Sequence, residues 1–142
     1  MIIDHIGILV RSIEKASEHW ATVFGYKQVT KIIINTRQQV KVAFLEKENS
    51  ITIKLVQPVD HSSPAMATLK KGGGLHHLCF RCDDMGAEIL KMTENGMRLL
   101  VKPESGEAFE NENIAFLYAG NGLNVEIIDT DKRAGRIGSE TP

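Results

Sequence analysis

Four side chains able to do chemistry, His5, Lys54, His77 and Glu126, sit inside short apolar runs, and they form two pairs with one separation, since 77−5 and 126−54 both equal 72. Neutral imidazole and carboxylate are good ligands for zinc, manganese, cobalt or nickel. An open coordination position would let such a cation polarise a substrate oxygen. The same residues fit a scaffold: a hydrogen-bonded histidine pair, with Lys54 and Glu126 as a half-buried ion pair closing a sheet. Strand spacing is compatible with both. The other reactive candidates, Cys79 and Cys82, form a C-x-x-C within a strand-like run. Positions three apart on a strand face opposite ways, about 10 Å apart, too far for a disulfide, so two reduced thiols are expected.

The elements that must position these groups repeat. Ile3-Asp4-His5-Ile6 resembles Leu75-His76-His77-Leu78, Val42-Ala43-Phe44-Leu45 resembles Ile114-Ala115-Phe116-Leu117, and Ile53-Lys54-Leu55-Val56 resembles Val125-Glu126-Ile127-Ile128, all at the same offset of 72. Each half starts with a strand, Ile2 to Val10 or Leu75 to Cys82, then a helix. Ser12 is the expected N-cap of the first helix, which stops at Gly25. Asp83 or Asp84 caps the second, which Gly96 ends. Three further strands are expected in each half: Tyr26 to Asn35, Val40 to Glu46 and Ile51 to Gln57, then Met97 to Val101, Asn113 to Tyr118 and Leu123 to Asp129. The boundaries predicted are module 1 at 1–59, a linker at 60–73, module 2 at 74–130 and a tail at 131–142, one domain in all. The linker should carry a short helix with Pro64 at its first position. The tail, rich in charge and glycine, is expected to be mobile or to drape over a partner.

Strand alternation assigns faces. Ile51, Ile53 and Leu55 share one face and Thr52, Lys54 and Val56 the other, while Leu123, Val125 and Ile127 lie opposite Asn124, Glu126 and Ile128. The wholly apolar faces must cover the helices. His5 lies opposite Ile6 and Ile8, and His77, with Cys79 and Arg81, opposite Leu78 and Phe80. A local two-fold relating the halves would bring His5, Lys54, His77 and Glu126 together.

Composition narrows the partners. In 142 residues, 42% hydrophobic, 17 basic against 18 acidic side chains leave a net charge of −1. That balance argues against nucleic acid or an anionic membrane and for a small molecule. Neither a signal peptide nor an apolar run of roughly 20 residues is seen, so a cytoplasmic protein is expected.

Asp4-His5-Ile6-Gly7-Ile8 followed by a helix, Gly74-Leu75-His76-His77-Leu78 and Val125-Glu126-Ile127 resemble the vicinal oxygen chelate (glyoxalase/bleomycin resistance/dioxygenase) superfamily, within it most closely methylmalonyl-CoA epimerase, with glyoxalase I as a relative. The resemblance implies an α+β fold of two βαβββ modules, related by pseudo-two-fold symmetry, in a cup-shaped open barrel. It implies a divalent metal (Zn, Co, Ni, Mn or Fe) on His5, His77 and Glu126, with the fourth ligand of the pattern falling on Lys54. A protonated lysine donates no lone pair and repels a cation. Gln57 would face the other way. Three readings follow: metal on three ligands, the Lys54 ammonium in the metal's place with no metal needed, or a cup that only binds. The run Glu104-Ser105-Gly106-Glu107-Ala108-Phe109-Glu110-Asn111-Glu112 also departs from the epimerase-like pattern, and its four carboxylates would repel coenzyme A phosphates.

The activity implied is a metal-assisted epimerase or isomerase, or a lyase, abstracting a proton beside a carbonyl of a small molecule. Glu126 would be the base, Lys54 a catalytic cation, Arg81 and Thr52 would orient the substrate, and Phe44, Phe116 and Tyr118 would line its apolar part. The alternatives are a non-catalytic, drug-sequestering binding protein and an iron(II) dioxygenase. The resemblance also implies a homodimer.

Overall fold

The computed structural model describes residues 1–138 and builds one mixed sheet with its two longer helices on one side. The first module runs β1 (Ile2–Leu9), α1 (Ile13–Phe24), β2 (Lys27–Gln28), β3 (Ile33–Asn35), β4 (Val40–Glu46) and β5 (Thr52–Pro58). A short helix, α2 (Met66–Lys70), lies in the linker. The second runs β6 (Gly74–Arg81), α3 (Met85–Glu94), β7 (Arg98–Gly106), a 3-10 turn at Glu107–Phe109, β8 (Glu112–Tyr118) and β9 (Asn124–Ile128). The order across the sheet is β2-β4-β5-β1-β6-β9-β8-β7, with β3 paired to β4.

That order is symmetric about the central antiparallel pair β1 and β6, each flanked by a parallel partner, β5 or β9. The register repeats with the sequence: Phe44 pairs with Lys54, and Phe116 with Glu126. This is the two-module, pseudo-symmetric α+β fold expected, left open rather than closed into a barrel.

Local chemistry sets the helices. Ser12 Oγ accepts from the Lys15 N–H, and Gly25 ends α1 in the left-handed conformation at φ 75°. Asp84 caps α3 by accepting from the Ala87 N–H. Each helix covers the face assigned to it: Ala43, Leu45, Ile53 and Leu55 pack under α1 with Ile13 and Trp20, and Ala115, Leu117, Val125 and Ile127 under α3 with Met85 and Met92. The opposite face gathers Val42, Phe44, Val56, Cys79, Ile114, Phe116 and Ile128 into a separate core inside the cup. Cys79 and Cys82 therefore lie in different layers, both as free thiols.

Three elements differ from expectation. The strand expected at Tyr26 to Asn35 is broken, because Thr30 Oγ1 takes the Phe44 N–H that a ladder residue would use. The strand expected to end at Val101 continues to Gly106, with register shifts across Pro103, which has no N–H to give and is tolerated on an edge strand. Helix α2 starts at Met66, two residues after Pro64.

The tail is the larger correction. Thr130 to Gly138 is a strap tied to both modules: Ala134 N–H donates to the Ala108 carbonyl, Ile137 N–H to that of Val29, and Gly135 accepts from Lys31 N–H. Its charges are used for anchoring, Arg136 to Glu46 and Lys132 to Glu112. The rest of the expected tail, 139–142, lies outside the described residues.

Candidate metal centre and active site

Strands β1, β5, β6 and β9 each send one polar side chain to the cup floor, and the 72-residue offset makes His5 equivalent to His77 and Lys54 to Glu126. All four are buried, between 0 and 3% exposed. His5 Nε2 and His77 Nε2 each lie 3.0 Å from Glu126 Oε1, and 3.3 Å from one another. Lys54 Nζ is 3.4 and 3.5 Å from the two Glu126 oxygens, over the face of Phe109 at 5.1 Å.

These distances test whether a metal fits. Ligand atoms about 2.1 Å from a zinc-like ion, at right or tetrahedral angles, lie roughly 3.0–3.4 Å apart. The triangle of two nitrogens and an oxygen has that size. His5 Nδ1 is 2.7 Å from Asp4 Oδ2, and in the neutral tautomer that donates to this carboxylate Nε2 turns a lone pair to the centre. A carboxylate oxygen and a second imidazole nitrogen meet that lone pair, and their convergence is unfavourable unless a proton or a cation lies among them. The three atoms fit one face of a metal's coordination sphere. Lys54 supplies no fourth ligand.

Burial acts on each ionisable group, and neighbours decide the outcome. Burial would raise the Glu126 carboxyl, but the Lys54 ammonium and the two imidazoles hold it well below the usual range. Burial pushes the His77 imidazole down to about 3 and that of His76 to about 4. His76 Nδ1 is 2.6 Å from His77 Nδ1. Burial raises the Cys79 thiol well above its ordinary value, leaving it protonated and unreactive.

Two contributors were not picked out among the candidate residues. Gly7 makes room for the His77 ring, since a Cβ there would stand 2.2 Å from His77 Cε1. A glycine inside a strand is the signal for such a close approach. Arg133, on the strap, pairs with Asp4 and lies over the Phe44 ring at 4.5 Å. One of two arginines in a polar tail carries no comparable signal.

The family model described as Glyoxalase/Bleomycin resistance protein/Dioxygenase superfamily matches residues 4–116. The chain belongs to this superfamily. An uncharacterised Bacillus subtilis protein, YqjC, is 31% identical over 89% of this chain and 91% of its own length. The mitochondrial methylmalonyl-CoA epimerase of Mus musculus is 29% identical over 88% of this chain and 71% of its own. The crystal structure of methylmalonyl-CoA epimerase from Mycobacterium tuberculosis superposes with a TM-score of 0.79 at 29% identity, covering 89% of this chain and 86% of that one.

On this glyoxalase-superfamily scaffold the other expected residues scatter. Phe44 stands edge-on to His5 at 5.2 Å and Phe116 edge-on to His77 at 5.6 Å. Phe116 also lines a cavity of about 310 Å³ with Val40, Val101, Gln38, His76 and Asn124. Thr52 pairs beside His5 but borders a different cavity with Lys27 and Lys47. Arg81 borders another, among Asp83, Asp84 and Asp129. The Tyr118 hydroxyl accepts from the Gly122 N–H and supports the β8–β9 turn. Gln57 faces away, as strand spacing requires, and accepts from the Ile13 N–H at the start of α1.

Three of the four carboxylates between Glu104 and Glu112 are occupied. Glu107 accepts from the Thr36 N–H and hydroxyl, Glu104 lies 3.7 Å from Arg37, and Glu112 pairs with Lys132. Glu104 and Glu107 join the arms of the open sheet and Glu112 ties the strap, so their repulsion of an incoming phosphate is weaker than a count of charges suggests. Among the described residues no helix is long and apolar enough to cross a membrane.

Proposed function

We propose that the cup is the active site of an epimerase or isomerase that abstracts a proton beside the carbonyl of a small acid, with a divalent ion on His5, His77 and Glu126. The triangle of His5 Nε2, His77 Nε2 and Glu126 Oε1 at 3.0 to 3.3 Å carries this reading. Epimerases among the relatives support the reaction type. The ion would supply Lewis acidity toward a substrate oxygen.

The protein's own groups would do the rest. Glu126 is kept ionised and so is able to accept a proton on Oε2, but beside the Lys54 ammonium it is a weak base. A developing enolate oxygen would draw Lys54 from Glu126, stabilising the substrate's new charge and strengthening the base together. Phe116 and Val40 would exclude water from the cavity wall, and Asn124 and Gln38 would offer amide groups to a carboxylate or carbonyl. His76 and His77, both neutral, would leave the negative charge on Glu126 alone.

A second reading, a cup that binds without turnover, is supported by the Lys54–Glu126 ion pair. Deuterium uptake at the α-carbon of a panel of malonyl and 2-oxo acids, free and as coenzyme A thioesters including methylmalonyl-CoA, distinguishes the two. Exchange by the wild type that is lost in His77→Ala supports the enzyme. Saturable binding with no exchange on any compound overturns it, and oxygen consumption with iron(II) would mark a dioxygenase.

A further inference from the structure

Among the described residues of the strap, Arg133 is the one whose side chain meets the rings around His5. This guanidinium is 8% exposed, donates to Asp4 Oδ2 and lies over Phe44 at 4.5 Å and Phe109 at 5.3 Å. Those two rings are also His5's neighbours, Phe44 edge-on and Phe109 nearly parallel at 6.1 Å. The same Asp4 oxygen accepts from His5 Nδ1 at 2.7 Å. The chain of contacts therefore runs from the strap, through Arg133 and Asp4, to His5 and the cup floor.

We propose that Arg133 is a positioning residue of the cup, acting through Asp4 to hold His5 as the Nδ1–H tautomer with its Nε2 lone pair turned to the centre. Asp4 is nearly buried, its side chain 6% exposed. A carboxylate there needs a second donor to fix its torsion, and Arg133 is that donor. Without it Asp4 is free to turn toward solvent in the space the guanidinium leaves. His5 Nδ1 then loses its acceptor, and the ring populates the other tautomer, whose Nε2–H points at Glu126 and His77 and ligates nothing. Partners behind a metal-binding histidine commonly set affinity in this way. The reading rests on the metal site proposed above, but the tautomer is measurable without any metal.

Long-range proton–nitrogen NMR of chelator-treated protein reports which His5 nitrogen carries the proton. The wild type should show Nδ1–H. Arg133→Gln keeps a planar group over Phe44 and removes the charge; Arg133→Met serves where that variant does not fold. Either should mix the tautomers, and cobalt(II) affinity should fall roughly 10- to 100-fold. In an Asp4→Asn background the same Arg133 substitution should add nothing, because its route to His5 is already cut. An unchanged His5 tautomer in a folded Arg133 variant, or an equal effect with and without Asp4, overturns the proposal. If the wild type binds no cobalt(II) but the tautomer responds as stated, the metal reading fails and the positioning role stands.

Discussion

His5 and His77 occupy equivalent places, yet what stands behind them differs. His5 leans on a carboxylate held by a guanidinium, whereas His77 leans on a second imidazole, His76, that lines the cavity beside the site. One ring faces a group that, as a carboxylate, only accepts. The other faces a nitrogen that can either give or take the hydrogen bond between the two rings. Across the same two-fold, Glu126 faces Lys54, so one module brings the charge that attracts a cation and the other the charge that resists it. A repeated backbone thus carries unlike partners behind its two histidines and unlike charges across its two-fold.

Breaking the charge pair should give the largest effects, opposite in sign for the two modules. Glu126→Ala leaves Lys54 buried without its partner and should cost about 3–5 kcal/mol in urea denaturation, with loss of divalent-metal binding. Lys54→Gln supplies a neutral oxygen donor at the equivalent position. It should raise metal affinity on the order of tenfold or more in a chelator-competition titration, while the metal-free variant melts below wild type because Glu126 lacks its counter-charge. If both variants bind metal as wild type does, the triangle is scaffold.

Gly7 tests the second module from the first. Gly7→Ala would place a methyl group where the His77 ring lies. Overpacking at this position should cost about 1–3 kcal/mol and weaken metal binding by moving His77 rather than removing it. The equivalent position beside His5 is Cys79, where the strand carries a side chain. An alanine at position 7 with unaltered stability and affinity would mean that His77 has other room.

Much of this was legible in the sequence because it depended on period. The offset of 72 and strand alternation place His5, Lys54, His77 and Glu126 on one face without knowledge of any distance. The cap at Ser12 was readable from local hydrogen-bond chemistry, and the second was narrowed to Asp83 or Asp84, of which the structure uses Asp84. What escaped was set by contacts remote in sequence. The break at Thr30 depends on Phe44. The carboxylates after Glu104 read as free charge until Thr36, Arg37 and Lys132 are seen beside them. Arg133 reaches Asp4 from the far end of the chain, where glycine and charge read as mobility.

Acid should separate the two histidines of the second module from the rest. Burial lowers His77 to about 3 and His76 to about 4, whereas an unfolded histidine titrates near 6.5. Between those values the unfolded chain binds more protons than the folded one. Stability should therefore be intact above about pH 6.5 and fall as the pH drops toward 4, by about 1.4 kcal/mol per pH unit for each histidine. Urea denaturation of chelator-treated protein from pH 7 to 4.5 measures this slope. His76→Gln should remove about one proton's share of it, and a slope unchanged by that substitution would mean that His76 is charged in the fold.

The smallest expected effect asks whether the modules are as alike in their helices as they are unlike in their sites. Ser12 and Asp84 each accept one N–H three residues on, at 3.2 and 3.0 Å. Their helices lead from β1 and β6, the strands that carry His5 and His77. Ser12→Ala and Asp84→Ala should each cost about 1 kcal/mol. The aspartate should cost slightly more at low salt, because its charge also meets the helix dipole. Neither should alter metal affinity if the histidines are held by the sheet rather than by the helices. A loss of affinity in Asp84→Ala alone would show that α3 helps to aim His77, and that the asymmetry between the modules extends beyond the cup.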